Sequence, residues 1–483
     1  MLLSSLASRL RMESTSLISL QRRRWSRQTK SRYIMSARKK LSVLVITMGC
    51  SKNLVDSEHL MRQLDTYGMK LLPSYYSLDN ESNAFIDCVV INTCGFIQDA
   101  KEESISMIFK AVAAKKKNRI GKLLVFGCLS QRYMSELKEG IPEVDAFFGA
   151  FNIKDVVEYL GLEYRDELAC SRYQTTPGHY AYLKISEGCN RRCAYCAIPF
   201  IRGPHISVPM EQLEKEAREL AAGGVKELIV IAQDTTYYGL DLYGKRMLAP
   251  LLERLCTIDG IEWIRIHYSY PDDFPEDVIE LMASENKICK YLDIPLQHCS
   301  PKVLKAMHRK SYNSGELIAF IKHIREKVPD ICLRTTLLTG FPGESDKDFE
   351  ALCKFVKAAK FERLGCFAYS REEGTPSYDL PNQLDDETKE RRAEVIMEIQ
   401  TAVSAALQKK KVGKIFEVVV EGYDNKNKVF IGRTAQDAPE IDGVVYFASP
   451  EKHCIGDFVK VKIEKSSDYD LLGTLVEEPE VEG

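Results

Sequence analysis

The run EGCNRRCAYC places Cys189, Cys193 and Cys196 within eight residues. Three thiolates so spaced can wrap one corner of a cubane iron–sulfur cluster and leave a fourth iron without a protein ligand. That open iron is a place for chemistry. Zinc is the rival reading, but structural zinc wants four ligands in short-spaced pairs, and only His205 is near enough in sequence to complete such a shell. Three more cysteines repeat a single position: Cys50 follows SVLVITMG, Cys94 follows VVINT and Cys128 follows LLVFG. Each lies at or just past the end of a strand-like run, the edge at which open α/β sheets bind ligands. A lone cysteine is ordinarily a small buried hydrophobe, which suits Cys88, Cys256, Cys289, Cys332, Cys353 and Cys366. Three at one strand-end position point instead to convergence, although spacings of tens of residues are not a ligand motif by themselves.

The elements that must hold these groups fall into three blocks, in keeping with 483 residues at roughly 150 per domain. Residues 41–161 alternate β-branched runs at Ser42–Thr47, Asp87–Asn92 and Lys122–Phe126 with helical stretches such as Ser57–Leu64 and Ala100–Ala114. That pattern predicts a small α/β domain with a parallel sheet covered on both faces. Residues 175–410 carry strand-like runs at Tyr180–Ile185, Glu227–Ile231, Trp263–His267, Tyr291–Ile294, Cys332–Leu338 and Arg363–Phe367, separated by helical patterns such as Met210–Ala222. Six such units with right-handed crossovers predict a partial, TIM-like (β/α)6 barrel, whose chemistry belongs at the carboxyl ends of its strands. The cysteine run follows the first of these strands. Gln233 and Asp234, the segment Asp293–His298 and the turn Gly340–Glu344 follow others and are pocket candidates by position. His298 and His267 suit either catalysis or packing, and Gly340 and Gly343 suit either a tight turn or close backbone approach to a ligand. Residues 411–479 read as short strands between polar turns, a small five-stranded β-barrel in the style of oligonucleotide-binding barrels.

Composition narrows the function classes. With 45% apolar and 28% charged residues and no apolar run near the ~18 residues of a membrane span, the chain reads as soluble and globular. Fifteen cysteines, an odd number in a long chain, do not resemble a secreted disulfide framework, so a cytoplasmic setting is expected. Residues 1–40 hold eleven Arg and Lys against Glu13 alone. This basic leader reads as an extension upstream of a start at Met35, with an organelle-targeting segment as the alternative, and is set outside the fold. In the last block the acids, among them Glu417, Glu421, Asp437, Glu440, Asp442, Asp457, Glu464, Asp468 and Asp470, outnumber Lys414, Lys426, Lys428, Arg433, Lys452, Lys460, Lys462 and Lys465. An acidic barrel repels RNA and predicts a basic protein partner.

With these motifs placed, the chain resembles the methylthiotransferase branch of the radical S-adenosylmethionine (SAM) enzymes over roughly Leu41 to Glu477. MGCSKNLVDSE, INTCGFIQDAKEESI, CAYCAIPFIRG, DIPLQH and GRTAQDAPEIDG carry the resemblance. They are most similar to the members that add a methylthio group to an aspartate β-carbon of ribosomal protein uS12. GCSKN and NTCGFIQDA depart from the MiaB-type relatives that modify tRNA adenosine, so tRNA is not the expected substrate. The resemblance implies an N-terminal methylthiotransferase domain, a radical-SAM core and a C-terminal TRAM barrel. It also implies two [4Fe-4S] clusters, one on Cys189, Cys193 and Cys196 and one on Cys50, Cys94 and Cys128. One SAM would yield a 5′-deoxyadenosyl radical and a second would methylate sulfur held at the other cluster. Tyr195 is then expected beside the adenine and Gln233 at the SAM amino group, with Gly340 and Gly343 as further cofactor contacts. A flavodoxin or ferredoxin and a sulfur donor complete the expected partners, with no membrane involved.

Overall fold

Runs rich in Val, Ile and Leu form the strands of three sheets in the computed structural model, which describes residues 40–73, 78 and 84–476. The reading of the leader concerns residues 1–39, outside the described residues. The chain divides into two compact units that meet in sequence at Tyr173 and Gln174.

In the first unit, β1 (Ser42–Thr47), β2 (Lys70–Leu71), β3 (Ile86–Thr93), β4 (Ile120–Gly127) and β5 (Ala146–Phe147) form one parallel sheet in the order β2-β1-β3-β4-β5. Period-two alternation sends Leu44, Val89, Ile91, Leu123 and Val125 to one face, with Ile105 and Ile108 of helix Gln98–Lys116. Val43, Val45, Val90, Leu124 and Phe126 go to the other, with Leu60 and Leu64 of helix Ser51–Thr66. The two-residue edge strands β2 and β5 are too short to show any period, so the sequence pattern does not reveal them.

In the second unit, β6 (Tyr180–Lys184), β9 (Glu227–Ile231), β10 (Trp263–Ile266), β11 (Ile288–Asp293), β12 (Cys332–Thr339) and β13 (Arg363–Ala368) pair in that order, all parallel. The short ribbon of β7 (Ser186–Glu187) and β8 (Ile206–Ser207) brackets the cysteine run. Helix Met210–Ala222 forms over the residues its periodicity predicts, burying Leu213, Ala217 and Leu220. Strands β14 (Ile415–Asp424), β15 (Val429–Thr434), β16 (Val445–Ala448), β17 (Phe458–Ser466) and β18 (Leu471–Leu475) close a five-stranded barrel around Val418, Val420, Phe447, Val461 and Ile463. Helix Asp386–Lys409 ties the two barrels together. Its Gln400 donates to the Phe361 carbonyl at 2.9 Å and its Ser404 to the Asp468 carbonyl at 2.7 Å.

A second tie is electrostatic and buried. The loop GRTAQDAPEIDG sets Arg433, Asp437 and Asp442 against side chains on the strands of the partial barrel. Glu227 accepts from Arg265 at 2.8 Å and is bridged by Arg433 as well, all three side chains at most 1% exposed. Asp437 binds Arg363, and Asp442 pairs with Arg334 at 2.5 Å while accepting from the Tyr291 hydroxyl at 2.8 Å. Burial alone would raise the Glu227 carboxyl; Arg433 and Arg265 reverse it and hold the group below its ordinary range.

This network corrects the acidic-barrel reading. Asp437 and Asp442 are internal, Glu421 holds Arg433 at 2.7 Å, Glu440 accepts from Tyr180 at 3.2 Å, and Asp457 and Asp470 accept backbone N–H groups of Cys454 and Val444. Lys414, Lys426, Lys428, Lys452, Lys460, Lys462 and Lys465 are all exposed. Net charge counted along the chain ignored which acids are buried in pairs; Glu417, Glu440, Glu451, Glu464 and Asp468 are exposed beside these lysines, so the described surface carries both signs.

Glu227→Gln leaves two buried guanidiniums short of their carboxylate, a change expected to cost about 3–5 kcal/mol. Trp263, which packs edge-on against Phe458 at 4.8 Å, reports the loss as a lower denaturant midpoint in its fluorescence. An unchanged midpoint would remove this cluster from the account of how the barrels are held together.

Candidate active site

Both cysteine trios stand where parallel strands end. In the first unit β1, β3 and β4 run side by side in register, with Asn92 opposite Thr47 and Phe126. Cys50, Cys94 and Cys128 follow those ends. Two glycines let them close up. A Cβ on Gly49, the neighbour of Cys50, would stand 2.8 Å from Cys94 Sγ, and one on Gly95 would stand 2.7 Å from the backbone of Leu129, the neighbour of Cys128. Cys94 and Cys128 are buried whereas Cys50 is exposed, so the trio has a closed side and an open side.

Polar residues of GCSKNLVDSE knit this edge together. Asn53, wholly buried on helix Ser51–Thr66, donates to the carbonyls of Met48 at 2.9 Å and Thr93 at 3.1 Å, and its Oδ1 lies 3.7 Å from Cys128 Sγ. Asn92 donates back to the Asn53 carbonyl at 2.8 Å and to Ser57 at 3.0 Å. A buried amide costs free energy unless hydrogen-bonded, so these bonds fix the ends of β1 and β3 beside the thiols. The sequence pattern marks this motif as unusual, since a helix facing a sheet ordinarily buries apolar groups, but it does not reveal the partners.

In the second unit Cys189, Cys193 and Cys196 line one open cleft together with Tyr195 and Gln233. The thiols feel one another. Burial pushes Cys189 up to about 11 and Cys196 up to about 12, and Cys193 adds to both. Ligation requires thiolates, and iron supplies the positive charge that such a set needs to ionise. Among the described residues no three His, Cys, Asp or Glu side chains close on a single metal ion. Cubane thiolates each bind a different iron and stand farther apart than ligands of one ion. His205 turns elsewhere, with Nε2 3.1 Å from the Ser207 hydroxyl and its ring against Tyr237.

The other positional candidates separate. Asp234 stands behind the wall, accepting from Arg191 Nε at 2.8 Å and from Thr236. Gly340 and Gly343 do not line the cleft. Gly340 has φ +73°, and a Cβ there would stand 2.3 Å from the Lys389 side chain, so its missing side chain serves helix packing. His267 packs on the rings of Tyr291 and Tyr268. His298 is wholly buried, its Nδ1 accepting from Ser300 N–H at 2.9 Å, which gives it the packing role.

Arg191, Tyr268, Tyr270, Gln297 and Arg309 also line the cleft. Tyr268 and Gln297 adopt φ of +58° and +69°, a left-handed conformation that side chains disfavour. Hydrogen bonds hold them there: Tyr268 N–H donates to Asp293 at 3.1 Å, and Gln297 N–H to the Thr336 carbonyl at 2.8 Å. Backbone strain of this kind gathers at functional sites. The segment HYSYP could have been found by position, since it follows β10 as the other candidates follow their strands. Arg309, beyond helix Pro301–Ala306, carries no such signal.

Comparison with known proteins agrees with this division. Residues 42–149 match the model of Uncharacterized protein family UPF0004, 183–356 the Radical SAM superfamily and 412–476 the TRAM domain. The chain is 48% identical over 439 residues to the ribosomal protein uS12 methylthiotransferase RimO of Cytophaga hutchinsonii, covering 90% of this chain and 98% of the relative. The RimO protein of Lachnoclostridium phytofermentans is 45% identical over 447 residues, 90% of this chain and all of the relative. Among solved structures, the radical SAM methyltransferase TsrM from Kitasatospora setae has a TM-score of 0.52 at 14% identity, covering 70% of this chain and 74% of its own, a likeness of fold.

Burial holds His298 down to about 4 from its ordinary 6.5. A buried neutral imidazole stabilises the fold above pH 6.5, and that contribution is lost as pH falls towards 4, by up to about 3 kcal/mol. His298→Asn is expected to flatten the decline in denaturation midpoint between pH 7 and 5. A decline as steep as that of the parent would assign the acid sensitivity to other groups.

Proposed function

The chain belongs to the RimO family of ribosomal protein uS12 methylthiotransferases, within the radical SAM superfamily, and on that premise we propose how its residues divide the work. It is a transferase that acts on uS12 and uses SAM and a [4Fe-4S] cluster. The tRNA-modifying alternative is not favoured. The acceptor is inferred to be an aspartate β-carbon, in line with the motifs the sequence shares with that group of enzymes.

Cys189, Cys193 and Cys196 are assigned to the cluster that SAM meets, and Cys50, Cys94 and Cys128 to a second [4Fe-4S] cluster. One observation carries both assignments: each trio gathers at strand ends with one side left open. Reduced cluster and SAM together supply one-electron chemistry able to remove hydrogen from an unactivated carbon. The protein's part is to bind and orient. Gln233, on the cleft wall, is proposed to meet the SAM amino group and Tyr195 to lie by the adenine, with its hydroxyl fixed by Arg309 at 3.3 Å. Asp234 sets the angle of Arg191 from behind. Residues 41–161, 175–410 and 411–479 are proposed as the cluster domain, the radical-SAM core and the TRAM domain.

A low-potential donor, flavodoxin or ferredoxin, and a separate sulfur donor are proposed partners, because SAM cleavage needs the reducing end of the cluster range and the methylthio sulfur must be replaced at each turnover. A cytoplasmic setting is proposed from the ribosomal substrate; among the described residues no helix is long and apolar enough to cross a membrane.

Anaerobic reconstitution, followed by assay with SAM, reductant, sulfide and uS12, is expected to load about eight irons per chain, four per cubane. Mass spectrometry is expected to find a gain of about 46 Da on one aspartate, the replacement of hydrogen by a methylthio group. Four irons in the wild-type chain would remove the second cluster. Modification of tRNA with uS12 untouched would overturn the substrate.

A further inference from the structure

We propose that Arg309 and Tyr270 are positioning residues for the cluster on Cys189, Cys193 and Cys196, holding its Cys193 corner and raising its reduction potential. The inference rests on the cysteine assignment above. Arg309 Nη1 and Tyr270 Oη each lie 3.9 Å from Cys193 Sγ. Both are fixed from behind. Arg309 Nη2 donates to the Pro295 carbonyl at 2.8 Å and Nη1 to Tyr195 Oη at 3.3 Å, while its Cζ lies 4.2 Å from the centre of the Tyr270 ring. Arg191 lies over the same ring at 3.9 Å, and its backbone N–H points to Cys189 Sγ at 3.4 Å.

The two guanidiniums differ in charge balance. Arg191 is neutralised by Asp234 at 2.8 Å. Arg309 has no carboxylate partner among the described residues; the groups around its positive end are phenols, a carbonyl and the Cys193 thiol. A partly buried cation without a counter-ion is costly unless an anion completes it, and a thiolate-bound cluster is such an anion. Reduction adds one negative charge to that cluster. A nearby cation and N–H or O–H donors to its sulfur favour the more negative form, so they shift the potential upward. Tyr270 adds the hydroxyl and keeps Arg309 in its plane by stacking.

The test is an EPR-monitored redox titration of the full-length chain carrying Cys50→Ala, Cys94→Ala and Cys128→Ala, so that one cluster remains, with iron measured on the same samples. At the potential that half-reduces this parent, Arg309→Gln is expected to lower the ratio of reduced to oxidised cluster about tenfold, a 59 mV shift for one electron. Arg309→Lys should recover part of it. Tyr270→Phe keeps the ring under Arg309 and removes only the hydroxyl, so a smaller downward shift is expected, and this variant decides the matter if Arg309→Gln fails to load iron. An unshifted midpoint in Tyr270→Phe overturns the proposal, as does a parental midpoint in Arg309→Gln accompanied by loss of SAM binding. A parent with no iron would instead overturn the cysteine assignment, a failure visible before any titration.

Discussion

The second unit depends on a set of largely buried charges. Glu227, Arg265, Arg334 and Arg363 come from β9, β10, β12 and β13 of the partial barrel, and Arg433, Asp437 and Asp442 from β15 of the small barrel and the loop after it. Apolar packing is tolerant of angle, whereas a guanidinium between carboxylates is not, and an unpaired buried charge costs several kcal/mol. The loop therefore has one way to seat. The strands it seats on are the same strands whose far ends carry Gln233, Tyr268, Tyr270 and Gln297 around the cleft. There, local hydrogen bonds from Tyr268 and Gln297 hold the strained backbone.

The two cysteine trios are assembled differently and have different supports. In the first, three parallel strands deliver their carboxyl ends to one edge, so residues far apart in sequence arrive together, whereas the second lies in one loop that follows the first strand of the partial barrel. The first trio is braced by a helix that buries amides and hydroxyls instead of methyl groups, with Asn53 at its centre. The second is braced by ring and guanidinium contacts, with Tyr270 at its centre. Hydrogen-bonded amides resist sliding of the strand ends. Of the stacked guanidiniums, Arg309 adds charge beside Cys193.

Much of this was legible in the sequence. The strands at Ser42–Thr47 and Glu227–Ile231 and the helix Met210–Ala222 form over the residues their periodicity marks, because each buries its whole pattern. Strand β11 starts three residues ahead of the expected Tyr291, since Ile288 and Cys289 are buried too although Lys290 interrupts the apolar run. What charge counting could not supply was pairing. Asp437 and Asp442 count as acids in composition and are neutralised in space by arginines 74 and 108 residues away. The same blindness hid Arg309, whose importance comes from Cys193, 116 residues earlier. Gly340, in a suggestive turn, stands away from the cleft and against Lys389 of the neighbouring helix.

The loop GRTAQDAPEIDG also bears on how relatives of this chain can diverge or be recombined. A small barrel at the end of a chain looks like an interchangeable attachment, to be grafted from one enzyme to another to redirect its choice of target. Here Asp437 and Asp442, the carboxylates that pair with Arg363 and Arg334 of the core, reside in that attachment. A graft brings an incompatible base plate unless the matching positions on the strands travel with it, so inheritance of the last seventy or so residues is tied to inheritance of the strands beneath them. Variation in target choice is left to the outward face, where the lysines stand exposed.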